Sequence, residues 1–530
     1  MVATGILVAL LVASSLLLRP LTPVDETRYL SVAWEMWQRG DWVLPYLNGE
    51  PYDHKPPLLF WIVGLGWKLF GVNEWWPRLI PALSALAVAI GLARLGERLW
   101  PGRPGIGGMT ALLFLGTWFV GVFLTAVMFD LLLLAFVVWG WWAFWLAVHE
   151  GRCRHWLGLG LALGLGLLTK GPVAALYLAA PLPAMLQWRS HGTMRISGRC
   201  AALALLIAVA VPAAWLVLLM AGGHGDLLGH LLIGQTVERV AGEMGHPRPW
   251  YWYGMVLPLL LLPWVLWPPL WRSLRAATGW LHEPGTRFVL TSAAVTLVGL
   301  SLVAGKQTHY LLPLLSLAAL LMARMLVEYP QSHAHFDELG IALAMLVPLP
   351  VLFLAVNAGW LPLPAWFDVR RLAGALVFVP LAMALMLYPG RHIAATAARI
   401  ACSGLLFCIL LIALVSGMAR PAYDLHAIAR LAAAQQREGR ALAWVGHYEG
   451  QLNFLGRMRA PPEAVEPQHL PEWIARHPDG VIIIRDKRLG DLASLSILFE
   501  QPYRSGTLFM LALTPTAQDP PAQVHRLPAS

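Results

Sequence analysis

The stretch LLLLAFVVWGWWAFWLAV at 131–148 carries no charge. It is close to the roughly 20 apolar residues that a helix needs to cross a bilayer. Immediately before it stands Ala126-Val127-Met128-Phe129-Asp130, and before that another apolar run over 107–126. A carboxylate at the centre of a span costs about 2.5–3.5 kcal/mol on insertion scales and far less near the interface. The chain is therefore expected to turn here, ending one span and starting the next, with Asp130 facing outward at the membrane boundary.

Read outward from this point, further spans are predicted at 2–19, 79–99, 157–169, 172–188, 200–221, 254–271, 288–304, 311–327, 339–357, 372–388 and 400–418, about thirteen in all. Composition agrees. Of 530 residues, 58% are hydrophobic and 13% charged, against about 25% charged in a soluble protein. That is too little polar surface to cover a globule of this size, so a purely soluble enzyme is excluded. The fold class is mainly α, a polytopic membrane protein. The first stretch lacks a basic leader and a small-residue cleavage site and runs into Arg19-Pro20, so it reads as an uncleaved span.

The 38 basic residues exceed the 29 acidic ones, for a net charge of +9. They lie between apolar stretches and not in runs, which points to topological anchoring against anionic lipid and away from nucleic acid. With a cytoplasmic N-terminus, the inner loops collect Arg94, Arg98, Arg103, Arg152, Arg154, Arg195, Arg199, Arg272, Arg324 and Arg399 among others. An odd number of spans then carries the C-terminus to the outer face. From about residue 419 the membrane composition stops. Strands at 441–445, 480–484 and 507–513, with helices near 423–438 and 470–476, predict a small outer α/β domain over 419–514. The Pro-rich segment 515–530 reads as a disordered tail. Residues 1–418 form the membrane domain. Cys153, Cys200, Cys402 and Cys408 include no CxxC pair, so neither a disulfide framework nor a zinc site is expected.

The outer face holds cations that a positive-inside bias should have depleted. In the first outer loop, Thr22-Pro23-Val24-Asp25-Glu26-Thr27-Arg28-Tyr29 opens an amphipathic helix over 23–39. Structurally this is a plain helix start, with Thr22 as cap and Asp25 reaching back. Chemically, Asp25 is a candidate catalytic carboxylate. The next motif, Tyr52-Asp53-His54-Lys55-Pro56-Pro57, precedes a second interfacial helix over 57–70. Lys55 and the open N–H groups of that helix's first turn suit a phosphate; the plainer reading is a lysine snorkelling to headgroups. Lys170, Arg239, Arg248, Lys306, His309 and Tyr310 also sit at outer ends. Each has an ordinary explanation as a helix-end charge or interfacial belt residue. Together they match a phosphate or diphosphate ligand at a lipid boundary.

The chain resembles the polyprenyl-phosphate-dependent glycosyltransferases of the GT-C fold, especially the lipid A aminoarabinose transferases and the related protein mannosyltransferases. The resemblance rests on Asp25 to Tyr29, on Gly40-Asp41-Trp42, Leu47-Asn48-Gly49 and Tyr52 to Pro57, and on Phe70 to Glu74. It continues through Leu168 to Pro172, Pro249 to Tyr253 with Pro263-Trp264, and Lys306 to Pro313. It implies a bacterial inner-membrane enzyme with its site and C-terminal domain facing the periplasm. The implied donor is a sugar on undecaprenyl phosphate, with 4-amino-4-deoxy-L-arabinose and lipid A as the leading sugar and acceptor.

By resemblance Asp25 and Asp130 are the catalytic carboxylates, and Lys55 meets the lipid phosphate with Arg248, Lys170 and Lys306 as further candidates. Glu26, Arg28, Tyr29, Tyr310, His309 and Arg239 are cavity residues. His54 departs from the pattern, since relatives often carry a carboxylate before the lysine. No cofactor is required; a divalent ion, if one binds, would use His54 and His246. The chemistry needs cations that bind the departing phosphate more strongly as charge develops. For a hydroxyl acceptor it also needs a base such as Asp25. Rival readings are transfer of mannose or a related sugar to a protein or glycolipid hydroxyl, a lipid-sugar transporter, and a nonenzymatic lipid sensor.

Overall fold

The structure, a computed structural model, describes residues 2–189, 195–226, 247–276, 279–328, 337–358, 360, 366–367, 374, 378–387, 392–485, 495–514 and 523–524. The first half runs α1 (Val2–Leu18), α2 (Asp25–Arg39), a two-stranded turn of β1 (Tyr46–Leu47) and β2 (Glu50–Pro51), α3 (Leu58–Phe70) and α4 (Trp75–Leu99). Then follow α5 (Ile106–Leu115), α6 (Trp118–Phe123), α7 (Phe129–Glu150), α8 (Cys153–Lys170), α9 (Val173–Ala179), α10 (Leu182–Arg189) and α11 (Gly198–Ala221).

Six helices among the described residues are long and apolar enough to cross a membrane. They are α4, α7, α11, Pro284–Leu302, Thr308–Val327 and the run from Ile393. The chain is a multi-pass membrane protein. Other expected spans are shorter or interrupted, and proline explains several breaks because it lacks the N–H and crowds the preceding turn. The segment 172–188 divides into α9 and α10 at Pro181, and 254–271 becomes Trp252–Leu260 and Pro268–Ala276 around Pro263. The break between α5 and α6 has another cause. Trp264 inserts there, its indole N–H donating to the Leu113 carbonyl at 2.8 Å, and a Cβ on Gly116 would lie 2.8 Å from the same ring. The expected turn before Asp130 is present, in the extended stretch between α6 and α7.

Helix α8 packs closely along α11. A Cβ on Gly160 would meet the Ala204 carbonyl at 2.3 Å, and one on Gly164 would meet Val211 at 2.8 Å, so the two glycines set the approach of the helices. One consequence corrects the cysteine reading. The helix starts lie side by side, and Cys153 and Cys200 form a disulfide with Cα atoms 5.1 Å apart. No local spacing signals a pair 47 residues apart.

Helix Ile393–Tyr423 leads through His426–Arg437 into a six-stranded sheet. Its strands are β3 (Leu442–Val445), β4 (Glu463–Val465), β5 (Val481–Arg485), β6 (Ser496–Tyr503), β7 (Gly506–Ala512) and β8 (Gln523–Val524), in the order β4-β3-β5-β7-β6-β8. Strands β4, β3 and β5 are parallel, β7 is antiparallel to both neighbours, and β8 is parallel to β6. Three strands match the sequence reading. The short, half-exposed β4 and the proline-bearing β6 escape it. The expected disordered tail lies outside the described residues, apart from Gln523–Val524.

The sheet shares a hydrophobic core with α2 and α3. Trp67 of α3 stacks on Phe454 at 5.2 Å, and the indole N–H of Trp34 on α2 donates to the Met458 carbonyl at 3.0 Å. Fully burying side chains of this size stabilises by about 1.5–3 kcal/mol each, so α2, α3 and the sheet form one packed unit.

Candidate active site

Five separate segments meet in one hollow of about 170 Å³. The first turn of α2 supplies Asp25 and Tyr29, and the loop before α3 supplies Lys55. The start of α7 supplies Met128, Phe129 and Asp130, and the end of α8 supplies Lys170. Gln307, with His309 and Tyr310 of the 3₁₀ turn that opens Thr308–Val327, closes it.

Asp130 and Lys170 form its deepest pair. They are 6% and 7% exposed, and the Lys170 ammonium donates to Asp130 Oδ1. The ammonium also stands 4.4 Å from the centre of the Tyr310 ring, and His309 Nε2 lies 4.0 Å from the same carboxylate oxygen. A charged pair this deep persists only if its partners are close and well aligned. Here Asp130 occupies the first turn of α7 and Lys170 the last turn of α8, the ends at which the helix dipoles favour those charges. Tyr177 donates to the Tyr310 carbonyl at 3.1 Å, steadying that wall.

The adjacent carboxylates of α2 divide their labour in a way that corrects the reading of the helix start. Thr22 does not cap α2, and Asp25 does not reach back to it. Glu26 does, accepting the Thr22 N–H at 2.7 Å and the Val127 N–H at 2.7 Å while Arg19 clamps it at 2.5 and 2.8 Å. Burial alone would raise the Glu26 pKa, but Arg19 and the two N–H groups outweigh it and bring it down to about 2. Glu26 therefore staples the first loop to the turn before α7 and does not line the hollow, contrary to its assignment as a cavity residue. Asp25, spared that task, faces the hollow with its side chain 54% exposed.

Arg28 joins the rim to the C-terminal sheet. It donates to Asp25 Oδ1 at 2.5 Å and to Glu449 Oε1 at 2.6 Å. Tyr29 packs edge-on against Phe129 at 4.9 Å. Burial, reinforced by the neighbouring Tyr52 and Asp25, pushes its phenol well above the ordinary value, so it stays a hydrogen-bond donor.

Other expected residues do not reach the hollow. Arg248 binds the Ala304 carbonyl through its backbone N–H at 3.1 Å, and its guanidinium stands 5.7 Å from the Trp252 ring. Lys306 turns its ammonium back to the Val303 carbonyl. Neither lines the hollow. His54 stacks on Tyr52 at 5.3 Å, outside the hollow's lining. Arg239 and His246 lie outside the described residues. Among the described residues no group of three or more His, Cys, Asp or Glu has an arrangement able to hold a metal ion. Sequence reasoning missed Glu449, 421 residues from Arg28, and Gln307, an unremarkable residue beside two candidates.

The fold and site define a multi-pass membrane protein with an ion-lined hollow at one end of its apolar bundle. Known proteins narrow this class. Residues 54–217 match the family described as dolichyl-phosphate-mannose-protein mannosyltransferase. The undecaprenyl phosphate-alpha-4-amino-4-deoxy-L-arabinose arabinosyl transferase of Pseudomonas savastanoi pv. phaseolicola is 34% identical over 323 residues, covering 58% of this chain and 57% of that protein. Its counterpart from Erwinia tasmaniensis is 32% identical, with 58% and 55% covered. The matched part thus spans little more than half the length of these curated relatives. The crystal structure of ArnT from Cupriavidus metallidurans bound to undecaprenyl phosphate superposes with a TM-score of 0.79 at 20% identity, covering 98% of this chain and 99% of that one. The fold is that of ArnT, and the resemblance read from the motifs is borne out.

Proposed function

We propose that this chain is a glycosyltransferase of the bacterial inner membrane that moves 4-amino-4-deoxy-L-arabinose from undecaprenyl phosphate to a phosphate of lipid A. The observation that carries the reading is the meeting of Asp25, Lys55, Asp130 and Lys170 in one hollow. The names of the Pseudomonas and Erwinia relatives support the choice of sugar and carrier. In this reading the bundle has about thirteen spans with a cytoplasmic N-terminus, and a periplasmic α/β domain follows from about residue 419. The arginines gathered at the end away from the hollow support that orientation.

Lys55 and Lys170 hold the donor phosphate and gain interaction energy as the sugar–phosphate bond lengthens and charge builds on the departing undecaprenyl phosphate. Asp130 keeps the Lys170 ammonium aimed at the hollow. An acceptor phosphate oxygen, already ionised, attacks the anomeric carbon from the face opposite the leaving group. One C–O bond forms, the carrier's C–O bond breaks, and the configuration inverts. Asp25 binds the sugar or, through Arg28, keeps a cation beside the acceptor; for a hydroxyl acceptor it would take the proton. The two lysines fill the electrostatic role of a divalent ion, so transfer should persist in the presence of EDTA.

The test supplies the reconstituted protein with undecaprenyl-phosphate-linked aminoarabinose and lipid A. A pentosamine mass increment on lipid A supports the reading. Carrier movement without covalent transfer would establish transport instead. The match over 54–217 favours one second reading, mannosyl transfer to a hydroxyl, which the same assay separates by offering a polyprenyl-phosphate mannose and a protein acceptor.

A further inference from the structure

The outward stripe of α2 extends past the hollow. Asp25, Arg28, Glu35 and Arg39 fall within an arc of about 80° at 100° per residue, and the stripe runs about 21 Å at 1.5 Å per residue. The segment after β3 follows it. Glu449 binds Arg28, the Gly450 carbonyl accepts from Ser31 at 2.5 Å, Asn453 Nδ2 donates to Glu35 at 3.2 Å, and the Met458 carbonyl accepts from Gln38 at 2.9 Å. Beyond Met458 this segment and α2 part around a second cavity of about 340 Å³, twice the volume of the first.

The charges in this second cavity are unequally committed. Glu35, at its back, is saturated: besides Asn453 it accepts the N–H groups of Asn48 at 2.6 Å and Gly49 at 3.0 Å. The Arg39 guanidinium lies 4.1 Å over the Tyr46 ring and makes one long bond of 3.4 Å to the Gly49 carbonyl. It has no carboxylate partner among the described residues. Arg459 uses its backbone N–H on Gln436, and its guanidinium carries no hydrogen bond or ion pair among the described residues. Two planar guanidinium groups facing one polar cavity match a phosphate monoester, which accepts two parallel N–H bonds from each.

We propose that this cavity is a second anion site, binding a phosphate on the saccharide headgroup of the lipid acceptor at a distance from the hollow where transfer occurs. The proposal rests on the acceptor reading above and adds to it that the acceptor carries at least two phosphates, one at each end of the α2 stripe. The segment before β4 supplies half of the site through Arg459, which gives the C-terminal region a part in acceptor recognition.

The test uses the full-length protein in nanodiscs and reads binding, with no turnover required. Probes are bisphosphorylated lipid A, its monophosphorylated form and undecaprenyl phosphate. The variant is Arg39→Gln with Arg459→Gln, whose exposed positions leave the fold intact; thermal unfolding is compared as a check. We expect the affinity for bisphosphorylated lipid A to fall about tenfold per arginine, the preference over the monophosphorylated form to disappear, and undecaprenyl phosphate binding to stay within about twofold. Unchanged lipid A affinity overturns the proposal, as does an equal loss for undecaprenyl phosphate. Inorganic phosphate that occupies the wild-type cavity without weakening lipid A binding assigns it to free phosphate and overturns the lipid-borne source. A protein that passes this binding test yet transfers no sugar breaks the catalytic reading and leaves the second site standing.

Discussion

The two ends of the helical bundle handle charge in opposite ways. At the arginine-rich end, Arg324 grips Glu283 at 2.5 and 2.8 Å and also pairs with Glu328, which Arg103 reaches as well. Nearby, Arg272 binds Asp337 and Arg399 binds Glu338. Carboxylates there are met by guanidinium groups, two of them in a forked grip. In the hollow the buried cation is a lysine, a compact charge on a flexible stem, and its pair with Asp130 borders open space. Arginine networks of this kind anchor helices, whereas Lys170 carries its charge at the wall of a cavity. The difference sets charge spent on packing apart from charge that lines a cavity.

That contrast can be broken most directly by Asp25→Asn and Lys55→Ala. Each should lower transfer by about 10²–10⁴ while the melting temperature stays near that of the wild type, read by product mass and by thermal unfolding. Arg324→Ala should do the reverse, costing about 1.5–3 kcal/mol because Glu283 and Glu328 lose one of the two arginines that hold them, with undecaprenyl phosphate binding unchanged in the fraction that folds.

Glu26 sharpens the comparison, since it is a saturated carboxylate beside the hollow. Its folded pKa of about 2 lies below the ordinary 4.5. The sign follows: its contribution is fully present above about pH 4.5 and is lost as pH falls toward 2. That contribution is about 3 kcal/mol at neutral pH. Glu26→Gln should therefore be less stable at pH 7, with the gap to the wild type closing between pH 4.5 and 2 in denaturant titrations. A gap that does not change with pH would mean that the Arg19 clamp does not set the stability. The smallest effect is expected at Glu449→Gln, about tenfold in kcat/KM, with Glu449→Asp recovering part of it and Gln38→Ala, which cuts another contact to the same segment, leaving kcat unchanged.

Much of this was legible in the sequence because it was local. Asp130 announced a turn by interrupting an apolar run, and Lys55 stood before two prolines that start a helix. The choice between Asp25 and Glu26 was not local. It depends on Arg19 and on the Val127 N–H, 101 residues away, and a helix-start pattern assigned the backward reach to the wrong carboxylate. Arg248 and Lys306 carry the right charge on the right side, yet nothing in their neighbourhoods reveals that one turns onto a tryptophan and the other onto its own chain.

The sequence by itself determined that the chain crosses a membrane many times, which side gathers arginine, and which loops hold acids and lysines. These are matters of hydropathy and charge along the chain, and solvent transfer decides them residue by residue. Only the tertiary structure decided which of those charges share a hollow, that Cys153 meets Cys200, that Glu449 pairs with Arg28 of α2, and that Arg459 shares a cavity with Arg39. Such contacts arise where helices pack closely through glycine and aromatic faces. They join residues tens to hundreds of positions apart, and no periodicity encodes them.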